Sequence, residues 1–128
     1  MRQTSSVQVA RWCVEAALDK KAEDVVILEI RELTSVADFF VICSGKSDRQ
    51  VQSIAGNIEL ILKERRILPL GIEGMREGRW VLMDYGDVII HIFYAPVRGF
   101  YDLERLWGDA PRVECPEGRE AAVERSGI

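Results

Sequence analysis

Histidine is nearly absent from this chain: His91 is the only one among 128 residues. That excludes a zinc site built on several histidines. A Ser-His-Asp arrangement would have to pair His91 with Asp84, and no serine stands in the strand-turn-helix context such a nucleophile needs. A lone strand histidine is more often a hydrogen-bonded structural residue, or else a contact residue on an open face. Cysteine is also scarce. Cys13, Cys43 and Cys115 are odd in number, with no C-x-x-C pair. Cys13 and Cys43 fall inside apolar segments, which predicts buried free thiols and a reducing compartment, the cytoplasm. No apolar run is long enough to span a bilayer, so no membrane partner is expected. Arg11, Glu15 and Asp19 interrupt residues 1–21, a pattern unlike that of a signal peptide. A basic excess is missing too. The net charge of −4 argues against naked nucleic acid as the primary partner, because phosphate binding needs a basic stripe. It suits a basic protein.

What remains is an ordinary globular composition, 48% hydrophobic and 30% charged, in a chain long enough to fold as one domain without disulfide or metal. Residues 1–113 read as that domain and 114–128 as a polar, loosely held tail. Val7, Ala10, Val14, Ala17 and Leu18 recur at helical spacing within 5–21. Residues 24–30 and 39–44 are β-branched runs and read as strands. Ser47 and Gln50 form a capping box that opens a second helix. Its apolar stripe is Val51, Ile54, Ala55, Ile58 and Leu62, and Arg65, Arg66 and Pro69 end it. Residues 70–78 hold three glycines and read as a loop with room for one short strand. Residues 80–85 and 88–94 form a hairpin about Gly86-Asp87, with a type II′ turn. Pro96 stands near the start of a third helix, whose stripe is Phe100, Leu103 and Trp107. This order is not the βαβ alternation of a doubly wound sheet. It predicts an α/β (α+β) fold, a mixed sheet with helices mainly on one face.

The hairpin predicts its own register. Tyr85 beside Val88 sets Asp84 against Ile89, Leu82 against His91, and Trp80 against Phe93. One face then carries Val81, Met83, Tyr85, Val88, Ile90, Ile92 and Tyr94 and should be core. The other carries Trp80, Leu82, Asp84, Ile89, His91 and Phe93. Two readings fit that second face. It is a partner surface of mixed aromatic and acidic character, or further elements cover it and make Trp80 and Phe93 a second core. Tyr101 and Asp102, off the third helix's stripe, are candidate contacts. Glu73, Asp38, Asp87 and Glu104 add acidity, and Glu104 reads as a solvated surface group.

Two catalytic motifs fail on inspection. Gly45-Lys46-Ser47 ends like a P-loop, but Phe40 stands where the first glycine belongs, and residues 41–44 continue a strand. A weak anion site at the helix start is all that could remain. A nucleotidyltransferase would need an acidic pair on the following strand to hold magnesium. Asp84 and Asp87 instead flank a hairpin turn.

The runs ADFFVICSGKSDRQVQSIA, EG followed by WVLMDYGDVIIHIF, and RGFYDLERLWGDA, together with KKAEDVVILEI, resemble in order and spacing the signatures of the ribosomal silencing factor (iojap-like) family over about residues 7–113. The resemblance implies a nucleotidyltransferase-like core without catalytic residues, acting without catalysis and without a cofactor or metal. It implies binding to protein fourteen of the large ribosomal subunit, steric exclusion of the small subunit, and lowered translation when nutrients are short. It further implies a homodimer when free. Hairpin parity and these motifs together make Trp80 the expected anchor, ringed by Asp84, His91, Tyr101 and Asp102, with Glu73 and Asp38 nearby. Two alternatives stay open: a large-subunit assembly factor using the same surface, and a minimal nucleotidyltransferase using Asp84 and Asp87 with magnesium.

Overall fold

The computed structural model describes residues 5–113; the tail expected at 114–128, with Cys115, lies outside them, as do residues 1–4. Helix α1 spans Ser6–Asp19 and is capped by Ser5, whose hydroxyl accepts the Gln8 N–H. Strands β1 (Glu23–Glu29) and β2 (Phe39–Gly45) precede helix α2 (Asp48–Glu64). Then come β3 (Gly71–Glu73), β4 (Trp80–Asp84) and β5 (Val88–Tyr94). Short helices α3 (Ala95–Tyr101) and α4 (Leu103–Leu106) lead to β6 (Arg112–Val113).

The six strands form one sheet in the order β3-β4-β5-β2-β1-β6. Among the described residues only β2 and β5 run parallel; the other pairs are antiparallel. The hairpin has the register read from sequence: Trp80 faces Phe93, Leu82 faces His91 and Asp84 faces Ile89. Gly86 has φ +88° and Asp87 has no positive φ, as a type II′ turn requires.

Side chains alternate across this sheet and separate two cores. On one face Val41, Cys43, Val81, Met83, Val88, Ile90 and Ile92 pack with α1 and α2. Helix α2 buries the expected stripe of Val51, Ile54, Ala55, Ile58 and Leu62. The cap at its start differs from expectation in one detail. Ser47 Oγ accepts the Gln50 N–H (3.0 Å), but the Gln50 side chain reaches past Ser47. Its oxygen accepts the Lys46 N–H, and its amide donates to the carbonyls of Lys20 and Lys21. One glutamine thereby joins the end of α1 to the start of α2. Cys13 and Cys43 are both fully buried in this layer. Burial pushes the Cys43 thiol up to about 12 and the Cys13 thiol higher still.

The opposite face carries a smaller core of Leu28, Ile30, Ala37, Phe40, Ile42, Ile89, Phe93 and Ala110, with Val97, Leu103 and Trp107 packed against it. Full burial of Phe93 alone removes apolar surface worth about 2–3 kcal/mol. Further elements therefore do cover part of this face, while the main helical layer lies on the other side.

The third helix is not the single rod expected. Asp102 adopts a left-handed conformation (φ 50°, ψ 52°) and separates α3 from α4. Its N–H returns to the Arg98 carbonyl and closes α3. Phe100, placed by periodicity on a buried stripe with Leu103 and Trp107, is 83% exposed. Leu103 and Trp107 do pack inward, and Trp107 meets Phe40 edge-on at 5.5 Å.

Candidate functional site

The cover on the second face is incomplete. Helix α3 touches β5 and β2, and Trp107 reaches Phe40 on β2. The edge pair β4–β3 carries Trp80, Leu82 and Asp84, with Glu73 opposite Leu82, on the same face. Trp80, Leu82 and Asp84 are half-buried and Glu73 is exposed. Among the described residues, a strip along one edge of the sheet thus stays open, walled on one side by α3.

Trp80 sits at the foot of that wall. Its ring lies 4.6 Å from the ring of Tyr101 and 5.0 Å from that of Phe93, centroid to centroid. Its indole Nε1–H donates to His91 Nδ1 at 3.2 Å. With Arg79, Pro96, Val97, Phe100 and Tyr101 it lines a depression of about 450 Å³. Tyr101 is half exposed and Phe100 more so, so the rim presents aromatic surface to solvent.

His91 does not stand at this surface. It is 5% exposed, under Trp80 and against Phe40, whose ring is 4.7 Å away. Because the indole can only donate, His91 Nδ1 is the acceptor and the neutral ring carries its proton on Nε2. Among the described residues, that Nε2 is buried without a hydrogen-bond partner. Burial lowers the pKa to about 4, so the ring is neutral at neutral pH. The expectation of a direct contact is corrected: His91 anchors Trp80 from below.

The carboxylates divide as well. Asp84 Oδ1 accepts the Gly86 N–H at 2.8 Å and holds the hairpin turn. Asp38 is turned toward α1, where it accepts the Ser6 hydroxyl at 2.9 Å; it does not join the Trp80 strip. Asp102 forms the elbow beside Tyr101. Glu104 is not a solvated surface group. Both its oxygens pair with Arg98, at 3.0 Å from Nε and 2.7 Å from Nη2. Those hydrogen bonds, and then the charge of the guanidinium, hold its carboxyl below the usual range. Among the described residues, no three or more metal-ligating side chains cluster.

Gly74 fixes how β3 returns to β4. At φ +83° it is left-handed, and a Cβ there would collide with the Trp80 carbonyl. Gln52 of α2 donates to the carbonyls of Met75 and Arg76, both at 3.0 Å, and pins the loop that follows.

A family model described as "Ribosomal silencing factor during starvation" matches residues 3–127. The chain belongs to the ribosomal silencing factor family. That match extends to residue 127, beyond the described residues. Two relatives, each named a ribosomal silencing factor, come from Halalkalibacterium halodurans and Bacillus subtilis. The first is 46% identical over 110 residues, 86% of this chain and 94% of the relative. The second is 44% identical over 118 residues, 92% of this chain and 98% of the relative. The fold matches a crystal structure of a Chromobacterium violaceum protein with a TM-score of 0.81 at 33% identity, covering 92% of this chain and 98% of that one.

Three features of the site escaped sequence reasoning: the exposure of Phe100, the role of Arg79 in the rim, and the Arg98–Glu104 pair. On an unbroken helix, residues six apart point about 120° away from each other. Only the turn at Asp102 brings Arg98 and Glu104 together. The one available signal was Gly99 followed by Asp102, a weak helix former and a residue that tolerates left-handed backbone.

Proposed function

We propose that this chain silences ribosomes by occupying the large subunit, through its protein fourteen, and barring the small subunit from joining. The observation that carries the reading is the open strip beside α3, in a chain of this family. Trp80, Tyr101 and Phe100 form a partly exposed aromatic platform next to Leu82 and the carboxylates of Glu73, Asp84 and Asp102. Such a surface gives a desolvated aromatic anchor inside a polar rim. Its negative charge favours encounter with a small basic protein and disfavours misplaced contact with rRNA phosphates.

The mechanism needs bulk and affinity rather than chemistry. Trp80 enters a pocket of the partner, held in orientation by His91 below and Tyr101 beside it. Glu73 and Asp102 meet basic groups at the rim. The rest of the domain then stands where the small subunit would approach. In this reading the protein works in the cytoplasm, without a cofactor, and pairs with a second copy when free.

Sedimentation of purified ribosomal subunits with and without the protein tests the proposal. Co-migration with large subunits and depletion of joined ribosomes are the expected results. Absence of co-migration at low and at moderate salt alike would remove the ribosome as partner.

A further inference from the structure

We propose that Arg98 is the positioning residue of the docking platform: locked between Glu104 and Ser44, it holds the α3–α4 elbow so that Tyr101 lies on Trp80. The proposal rests on the reading of the Trp80 face given above and deepens it.

Arg98 is one of few charged side chains taken out of solvent among the described residues, at 9% exposure. Three of its nitrogens are engaged. Nε and Nη2 grip the two oxygens of Glu104, and Nη1 donates to Ser44 Oγ at 2.8 Å. Ser44 lies on β2, at 2% exposure, in the middle of the sheet. One guanidinium thus ties α3, which carries it, to α4, which carries Glu104, and ties both to the central strands. Bidentate pairing of this kind fixes geometry as well as energy.

The elbow has little else to hold it. Helix α3 has seven residues, no side-chain cap and a glycine, Gly99, near its middle. Helix α4 has four residues and no side-chain cap. Helices so short do not persist on propensity. Their apolar hold on the sheet is Val97, Leu103 and Trp107, together with the ring of Tyr101 against Trp80 and Phe93, whereas Phe100 and Leu106 face solvent at 83% and 73% exposure. Tyr101 and Asp102 lie between the two ends of the clamp. The clamp sets where the chain turns, and the turn sets Tyr101 at 4.6 Å from Trp80. An elbow that moved away would leave a buried guanidinium without its carboxylate, a costly state. The pair therefore selects one elbow geometry.

Two experiments separate this proposal from the function it serves. In the free protein, NMR cross-relaxation between the Trp80 and Tyr101 rings is compared in wild type, Glu104→Gln and Arg98→Met. Trp80→Phe assigns the indole signal, and protection of the Ile90 and Ile92 amides reports the sheet. The expected result is loss of the Trp80–Tyr101 cross-peaks in both clamp variants with the strand amides still protected. Wild-type cross-peaks in the folded variants would overturn the proposal. Should Arg98→Met not fold, the isosteric Glu104→Gln decides alone. The second experiment measures binding to large ribosomal subunits in a double-mutant cycle with Tyr101→Ala. Arg98→Met should weaken binding about tenfold in the wild-type background, the scale of a well-placed aromatic contact. It should have almost no effect once Tyr101 is gone. Equal losses in both backgrounds would show that Arg98 does not act through Tyr101 and would refute the positioning role. If the wild-type protein binds no large subunit, the proposed function fails, while the NMR comparison still judges the clamp.

Discussion

Lowering the pH from about 7 to about 5 should cost this fold about 2 kcal/mol through His91 alone. The ring is buried beneath Trp80, and its pKa falls from 6.5 in the unfolded chain to about 4 in the folded one. Between those values the unfolded state binds a proton that the folded state refuses. Stability therefore rises with pH across this window. The contribution is fully present above the unfolded value and is lost as the pH falls toward the folded one. The whole gap corresponds to about 3 kcal/mol, at ~1.4 kcal/mol per pH unit. The geometry explains the reluctance: protonation must occur on Nδ1, where the Trp80 indole already donates its hydrogen. Urea unfolding at the two pH values, for wild type and His91→Gln, measures the effect. Glutamine is uncharged at both, so the difference between the two pH dependences isolates the imidazole. Glu104, whose carboxyl is held low by Arg98, also destabilises on acidification. Its loss begins near the ordinary carboxylate range, at the acid end of His91's window, and it is common to both proteins. Equal pH slopes for wild type and His91→Gln would refute the buried, neutral, Trp80-bonded histidine.

Trp80→Ala should leave a folded protein and weaken association with large ribosomal subunits by about 2 kcal/mol or more, read as loss of co-sedimentation. Gly74→Ala should lower the urea midpoint by the equivalent of about 2–3 kcal/mol, because the left-handed backbone and the approach of the Trp80 carbonyl both oppose a Cβ. In a Cys115→Ser background, Cys13 and Cys43 should resist thiol reagents until the protein unfolds, since both are fully buried with raised pKa values. Labelling at the rate of a free thiol under native conditions would contradict the burial of α1 against β2.

The platform joins two structural levels. Trp80 belongs to the sheet and inherits its rigidity from β5, where Phe93 is wholly buried. Tyr101 belongs to the elbow, a weaker element held by one ionic clamp, the apolar side chains of Val97, Leu103 and Trp107, and its own ring against the sheet. Affinity for a partner should therefore respond to changes at Arg98 and Glu104 more strongly than the amide protection of β5 does.

Sequence by itself determined the α1 and α2 stripes, the hairpin with its turn and register, and the separation of Val81, Met83, Ile90 and Ile92 from Trp80, Leu82 and His91. These follow from local periodicity and turn chemistry, which act within a few residues. The motif series also indicated the family. Only the tertiary structure decided how the second face is shared between core and surface. Phe93 and Phe40 became core because Val97, Leu103 and Trp107 reach back over β5 and β2. Trp80 and Leu82 stayed half open because β4 lies one strand beyond that cover. His91 went under Trp80, and Asp38 turned to Ser6, by contacts between residues distant in the chain. The elbow is the clearest case. Helical periodicity assumes an unbroken helix, and the left-handed Asp102 ends that assumption. What stabilises the break is a guanidinium reaching a serine on β2, 54 residues earlier in the chain, and no local pattern encodes that contact.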